Sequence, residues 1–295
     1  MRQDPNPALL HERVIDWYAV NARPLPWRDA SCTPWGVLVS EVMSHQTPVA
    51  RVAPVWREWM ARWPTPAALA AESPGEAVRA WGRLGYPRRA LRLREAAVVI
   101  TVRHDGVVPD DEALLRSLPG IGAYTAAAVT AFAFGHRTTV VDTNVRRVLA
   151  RVVQGREHAA PALTSAESAL AASLVPAEAD ASATWNVAVM ELGALVCQAR
   201  APRCDDCPVQ DLCAWVAAGR PAHDGPPRRG QAWHGTDRQV RGALLQALRD
   251  APGPVSRAAL GGAGEDVTQV DRCIVSLVED GLLEPLAGDR FRLPA

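Results

Sequence analysis

Two stretches of helical periodicity meet at Pro119-Gly120-Ile121-Gly122, and this junction restricts the possible folds more than any other part of the chain. Asp110-Asp111-Glu112 opens a helix with Leu114, Leu115 and Leu118 at helical spacing. Pro119 and Gly120 stop it, and Gly122 opens a second helix that runs to Phe134 and closes at Gly135. The pattern is a helix-hairpin-helix. Gly120 and Gly122 let another molecule approach the backbone, and the amides at the start of the second helix suit one phosphate. A plain αα-hairpin uses Pro-Gly as well, so DNA binding needs support from elsewhere in the chain. Asp142 then heads a third helix with apolar positions 145, 148, 149, 152 and 153. Taken alone, Asp142 is an N-cap.

The remaining periodicity is also helical. Leu10, Val14, Trp17 and Tyr18 share a face of an opening helix, which ends before Pro24-Leu25-Pro26-Trp27-Arg28. Thr33-Pro34 reads as cap and first residue of a helix with the apolar stripe Trp35, Leu38, Val39, Val42 and Met43. Glu41 lies at the stripe's edge, roughly 60° from Leu38, where it is either solvated or held against apolar neighbours. Pro48 starts a helix with Val52, Val55, Trp56 and Trp59, the tryptophans reading as core. No strand alternation precedes residue 280, so the expected class is all-α. Residues 1–216 form the body, 217–235 a Gly/Pro/Arg-rich linker, and 236–295 a small winged-helix-like domain. In that last domain Thr236 and Ser256 cap helices, and Leu282–Leu286 and Arg290–Leu293 make a β-hairpin. Its third helix carries Glu265, Asp266, Asp271, Glu279 and Asp280 against Arg272 alone. Phosphates would repel such a helix, so this domain reads as a packing module or a site for a protein partner.

Net charge is zero, yet the arginines cluster. Seven lie between Arg79 and Arg103, Arg88 among them, against Glu95, and five from Arg137 to Arg156 against Asp142. These runs flank the hairpin, where a polyanion would lie. All 32 basic residues are arginine, so no side chain can form a Schiff base. The apolar runs are too short to span a bilayer, and Met1-Arg2-Gln3-Asp4-Pro5 is no signal peptide. A cytoplasmic location with no membrane association is expected.

Cys197, Cys204, Cys207 and Cys213 follow the spacing C-x6-C-x2-C-x5-C within seventeen residues. Four thiolates in one compact loop suit metal ligation. Zinc sites more often pair two short knuckles across a gap, and a [4Fe–4S] cluster fits this loop better. Cys32 and Cys273 stand apart as small hydrophobes.

In this order, hairpin, Asp-x-Asn and four-cysteine loop resemble the iron–sulfur helix-hairpin-helix DNA glycosylases. Leu25-Pro26-Trp27-Arg28, Ser40-Glu41-Val42-Met43, Gln46-Thr47, Gly85-Tyr86 and Tyr124 are similar to the MutY-type adenine DNA glycosylases, over about residues 8 to 215. The resemblance implies removal of adenine paired with 8-oxoguanine or guanine from double-stranded DNA, by a monomer carrying a [4Fe–4S] cluster. It implies catalytic roles for Glu41 as the acid that protonates the leaving base and Asp142 as the anion facing the sugar, with Tyr124 and Asn144 orienting Asp142. Trp27, Arg28 and Glu191 would line the base pocket. Gln46, Leu84 and Tyr86 would fill or border the gap left by the flipped base. Thr47, Gly120, Gly122, Arg88, Arg200 and Arg203 complete the expected DNA contacts. The bifunctional relatives carry their lysine where this chain has Tyr124, which implies base removal without strand cleavage.

Two departures bear on specificity. Ser44-His45 replaces the family's Leu-Gln before Gln46-Thr47. The roughly 60 residues after the linker do not resemble the Nudix-like domain that many members use to read 8-oxoguanine. Two other functions therefore stay open: the same chemistry on thymine opposite guanine, or a non-catalytic DNA-binding or regulatory iron–sulfur protein.

Overall fold

The computed structural model describes residues 6–223, 225 and 233–295. The expected linker at 217–235 therefore falls partly outside the described residues, at 224 and 226–232. In chain order the helices are α1 (Pro7–Asn21), α2 (Pro34–Ser44), α3 (Val49–Arg62), α4 (Pro66–Ala70), α5 (Pro74–Trp81), α6 (Arg88–Arg103), α7 (Glu112–Ser117), α8 (Ala123–Phe134), α9 (Thr143–Val152), α10 (Ser165–Ser173), α11 (Ala179–Leu195) and α12 (Ala214–Ala217). Then come α13 (Asp237–Asp250), β1 (Val255–Ser256), α14 (Arg257–Leu260), α15 (Val267–Glu279), β2 (Glu284–Leu286) and β3 (Arg290–Arg292). The chain divides into two compact units. One takes residues up to Val37, Asp110–Ala113 and the stretch from Gly122 towards the linker, and the other takes Leu38–Pro109, Leu114–Ile121 and the C-terminal elements.

The first unit is organised around α9 and α11. Val145, Val148, Leu149 and Val152, one face of α9, are buried with Leu10 and Val14 of α1 and with Trp185 and Leu192 of α11. Each such side chain contributes about 1.5–3 kcal/mol on leaving water. Caps set the helix starts: Asn6 accepts from Ala8 N, and Thr164 and Glu167 form a reciprocal capping box at α10.

In the second unit α6 packs on α4 and α5. Trp59 is fully buried, edge-on to Trp63 and Trp81, and its indole N–H donates to Ala80 O at 3.1 Å. A tryptophan so enclosed is core. The C-terminal elements form three helices and a three-stranded antiparallel sheet of order β1-β3-β2. Ser256 caps α14 and Asp266 caps α15. Strand β1, which pairs with Phe291 and Arg290, went unread because two residues carry no alternation.

Candidate active site and cluster loop

Asp142 starts α9 in extended backbone, and its Oδ1 accepts from Val145 N at 2.7 Å. Oδ2 accepts from the Asn144 side-chain amide, also at 2.7 Å. The N-cap role is therefore real, and it fixes the carboxylate in one orientation. Burial pushes the Asp142 carboxyl above its ordinary value, while the Val145 and Asn144 hydrogen bonds and the Arg147 charge pull the other way without reversing it. The segment leading to it is tied to α11, where buried Asn186 accepts from Val140 N and donates to Thr138 O. Tyr124 is half-buried on α8 against the alanine cluster Ala127, Ala128 and Ala131.

Arg147 links this corner to the cysteine loop. Its guanidinium donates to Asn144 Oδ1 at 2.8 Å, to Gly193 O at 2.7 Å and to Cys197 O at 2.7 Å. Gly193 has to be glycine, since a Cβ there would lie 2.7 Å from the Asn144 Cβ. One turn further along α9, Arg151 is fully buried and donates to Gln198 O at 2.7 Å and to Cys197 Sγ at 3.4 Å. Its guanidinium also lies over the Trp215 ring. Cys197, Cys204, Cys207 and Cys213 all line one cavity, with apolar walls from Val148, Leu192 and others. Burial and the three neighbouring cysteines push the Cys207 thiol up to about 12. Four cysteine side chains lining one cavity beside the buried Arg151 guanidinium are a donor set that suits a thiolate-bound cluster.

Glu191, on α11, is 1% exposed. Arg23 grips it at both oxygens, 2.7 Å each, and adds its backbone N–H at 2.9 Å. Arg28 donates to Oε2 at 2.9 Å and lies over the Tyr18 ring. Burial alone would raise this carboxyl, but the Arg23 and Arg28 bonds outweigh it and hold it at about 2. Trp27 sits half-buried between Pro26 and Arg28 in a single 3₁₀ turn.

In the second unit Glu41 is 7% exposed, which excludes the solvated alternative. Every residue from Trp35 to Met43 is buried, so α2 is enclosed all round rather than striped. At its C-terminus, Arg89 donates to Val42 O at 2.7 Å, Met43 O at 3.2 Å and His45 O at 2.8 Å. The same guanidinium reaches Thr47 Oγ1 at 3.0 Å and Gly85 O at 3.1 Å, and lies over the Trp81 and Tyr86 rings. It ties the 44–47 turn to the 82–86 turn. Gln46 and Tyr86, at their tips, are both exposed and both left-handed, with φ of 52° and 48°. Non-glycine residues hold that conformation only where their surroundings impose it. Burial and the Arg89 charge lower the His45 imidazole below its usual value, leaving it neutral near pH 7 rather than a cation for phosphate.

Two expected DNA contacts are placed differently. Leu84 is 3% exposed and packs inward, and Thr47 is buried with its hydroxyl donating to Leu84 O at 3.1 Å. Both build the turn rather than face outward. Gly120, at φ +76°, has no room for a Cβ beside Arg92, whereas Gly122 caps α8 with open space around it. Arg88 pairs with Asp280 at 3.1 Å while staying more than half exposed. Arg200 and Arg203 are exposed on the cysteine loop.

Comparison with known proteins agrees with this geometry. Residues 39–172 match the HhH-GPD superfamily of base excision DNA repair proteins, and residues 197–213 match the iron-sulfur binding domain of endonuclease III. The adenine DNA glycosylase of Mycobacterium tuberculosis is 52% identical over 95% of this chain and 92% of its own length. The chain belongs to the MutY-type adenine DNA glycosylases. A thymine-DNA glycosylase from Aeropyrum pernix is 33% identical over 70% of this chain and 93% of its own. The fold matches an endonuclease III–DNA complex with a TM-score of 0.60, over 72% of this chain and 95% of that one, at 24% identity. This glycosylase therefore acts on DNA and carries a [4Fe–4S] cluster, which Cys197, Cys204, Cys207 and Cys213, the cysteines of the matched 197–213 stretch, would hold. Ligation by those four cysteines would cross-link the loop that presents Arg200 and Arg203. Among the described residues no helix is long and apolar enough to cross a membrane.

Sequence reasoning missed Arg23, Arg89, Arg147, Arg151 and Asn186. Only Arg147 and Arg151 left a trace, lying four apart beside the apolar face of α9.

Proposed function

We propose that this glycosylase removes adenine paired with 8-oxoguanine or guanine and leaves the abasic strand unbroken. The Asp142 carboxylate carries the reading. It is oriented by two short hydrogen bonds, and among the described residues no arginine pairs with it directly. Breaking the bond between sugar C1′ and the base nitrogen puts positive charge on the sugar and negative charge on the base. Asp142 stabilises the first, Glu41 protonates the second, and water completes the sugar. The 52% identity with an adenine DNA glycosylase over nearly the whole chain supports adenine as the base. With no lysine in the sequence, no side-chain amine is present to form an imine with the opened sugar.

A second reading, thymine opposite guanine, is favoured by the Aeropyrum pernix relative. Duplexes with A:8-oxoG, A:G or G:T, run on a denaturing gel with and without alkali, separate the two. Cleavage at adenine only after alkali is the expected result. Cleavage at thymine favours the second reading, and no cleavage anywhere leaves a non-catalytic DNA-binding protein. Borohydride should trap little or no protein–DNA adduct; efficient trapping would overturn the unbroken-strand assignment.

A further inference from the structure

The C-terminal elements make a set of contacts that base removal does not explain. Arg79 of α5 donates to Leu248 O at 3.3 Å, Ala251 O at 3.4 Å and also Arg249 O, the open carbonyls at the end of α13. Arg249 of α13 answers by donating to Val78 O near the end of α5, at 3.0 Å. Each helix thus has its C-terminal carbonyls capped by an arginine of the other, an arrangement in which both dipole ends meet a cation. Arg83 Nε reaches Gln246 Oε1 at 3.4 Å, and Arg88, the first residue of α6, pairs with Asp280 at 3.1 Å. At its other end α5 presents Gly75, where any Cβ would collide with Pro294 O and touch Leu293.

These contacts bracket one segment. Arg79 and Arg83 lie just before and within the turn that carries Tyr86, and Arg88 lies just after it. That turn holds Gly82, Gly85 and Tyr86 at positive φ, and the Tyr86 ring is 53% exposed. The outer face of α15 exposes Asp271 and Glu279 beside Arg272, a net acidic face that disfavours a phosphate backbone.

We propose that the C-terminal module is a brace that holds the 82–87 turn in the conformation that inserts Tyr86 into DNA, and that it acts from behind without reading DNA itself. This rests on Tyr86 filling the gap left by the flipped base. Full-length Arg249→Ala should lose about tenfold in single-turnover excision on an A:8-oxoG duplex, the scale of losing a charge-assisted hydrogen bond. Arg249→Lys, which keeps a cationic donor, should recover most of it. In a Tyr86→Ala background the same Arg249→Ala change should cost less than about twofold, since coupled sites are non-additive. Equal losses in both backgrounds would overturn the brace and favour direct DNA contact by the module. If Tyr86→Ala alone were as active as the parent, the insertion reading would fail, a result distinct from an impaired Tyr86→Ala with an unaffected Arg249→Ala. Hydrogen exchange reads the same question without catalysis. Asp280→Asn, at a partly exposed pair, should speed exchange at 82–90 and leave α3 unchanged, and unaltered exchange there would reject the brace.

Discussion

Asp142 and Glu191 are two acids of the same unit, and their surroundings treat them in opposite ways. Glu191 is the more enclosed, yet Arg23 and Arg28 bring its carboxyl down to about 2. Asp142 is only half-buried by exposure, yet burial dominates and its carboxyl goes up, because among the described residues its hydrogen-bond donors are neutral and Arg147 acts from beyond Asn144. A carboxylate saturated by two guanidiniums has little charge left to offer, and it serves to join α11 to the 23–28 segment. On the proposed function, a carboxylate held in place but left unneutralised keeps its charge for a cation that forms only during the reaction. The contrast separates a carboxylate whose charge is spent on two arginines from one that the proposed chemistry can use.

Asp142→Asn breaks the contrast most severely. Asparagine can still accept from Val145 N and cap α9, so folding and DNA binding should survive while excision falls by on the order of 10³-fold or more. The sign of the stability change follows from the raised carboxyl. The fold favours its protonated form, so that contribution is complete below the unfolded value and is lost as pH rises through the folded one. Near pH 7 the variant should melt no lower than the parent. Binding lost in step with activity, measured on a duplex with a non-cleavable adenine analogue, would reduce Asp142 to a structural cap.

Glu191→Gln should do the reverse. It leaves two arginines facing a neutral amide, at a cost of about 3 kcal/mol, visible as a lower Tm. A depressed carboxyl contributes stability above its unfolded value of 4.5 and loses it as pH falls towards about 2. Acid unfolding of the parent between those limits should therefore be steeper than that of the variant. A variant as stable as the parent would remove the bracing role.

How much of this could be read from the chain depends on range. The N-cap at Asp142, the stripe of α9, the two hairpin helices and the caps at Thr236 and Ser256 are local, and periodicity exposes them. The cysteine spacing is local as well. Arg23, Arg89 and Asn186 act on carbonyls or carboxylates distant in sequence, and nothing beside them in the chain marks the partner. Glu41 shows the same limit: its helix looks amphipathic by spacing but is enclosed on every side. Leu84, expected to border the DNA gap, packs inward instead, a placement that nothing beside it in the chain marks.

Asn144→Ala sharpens the comparison at moderate scale. It removes one of the bonds that favour ionised Asp142 and also detaches Arg147 from that corner, so the carboxyl should rise further. Excision in the parent should increase with pH as Asp142 ionises, with a midpoint above this carboxyl's ordinary value. In the variant this limb should move to higher pH, so the loss of activity should be largest in acidic buffer and shrink as pH rises. A loss that does not depend on pH would show that Asn144 positions substrate rather than the charge.

The hairpin glycines repeat the distinction in the backbone, with smaller effects. Gly120 is kept for the fold: its φ of +76° and the Arg92 Cβ, 2.6 Å from where a methyl would sit, both reject a side chain. Gly120→Ala should cost more than about 1 kcal/mol of stability. Gly122 has open space around it and a φ of −91°, which alanine adopts freely. Gly122→Ala should therefore change stability by only a few tenths of a kcal/mol, the difference between glycine and alanine at an N-cap. The added methyl sits where a phosphate oxygen would approach the first amides of α8, so DNA affinity should fall by about threefold, the scale of one weakened hydrogen bond. Fluorescence anisotropy of a labelled duplex, read beside the melting curves of both variants, tests the pair. Equal affinity for the Gly122→Ala protein and the parent would mean that the hairpin turns the chain without holding a phosphate.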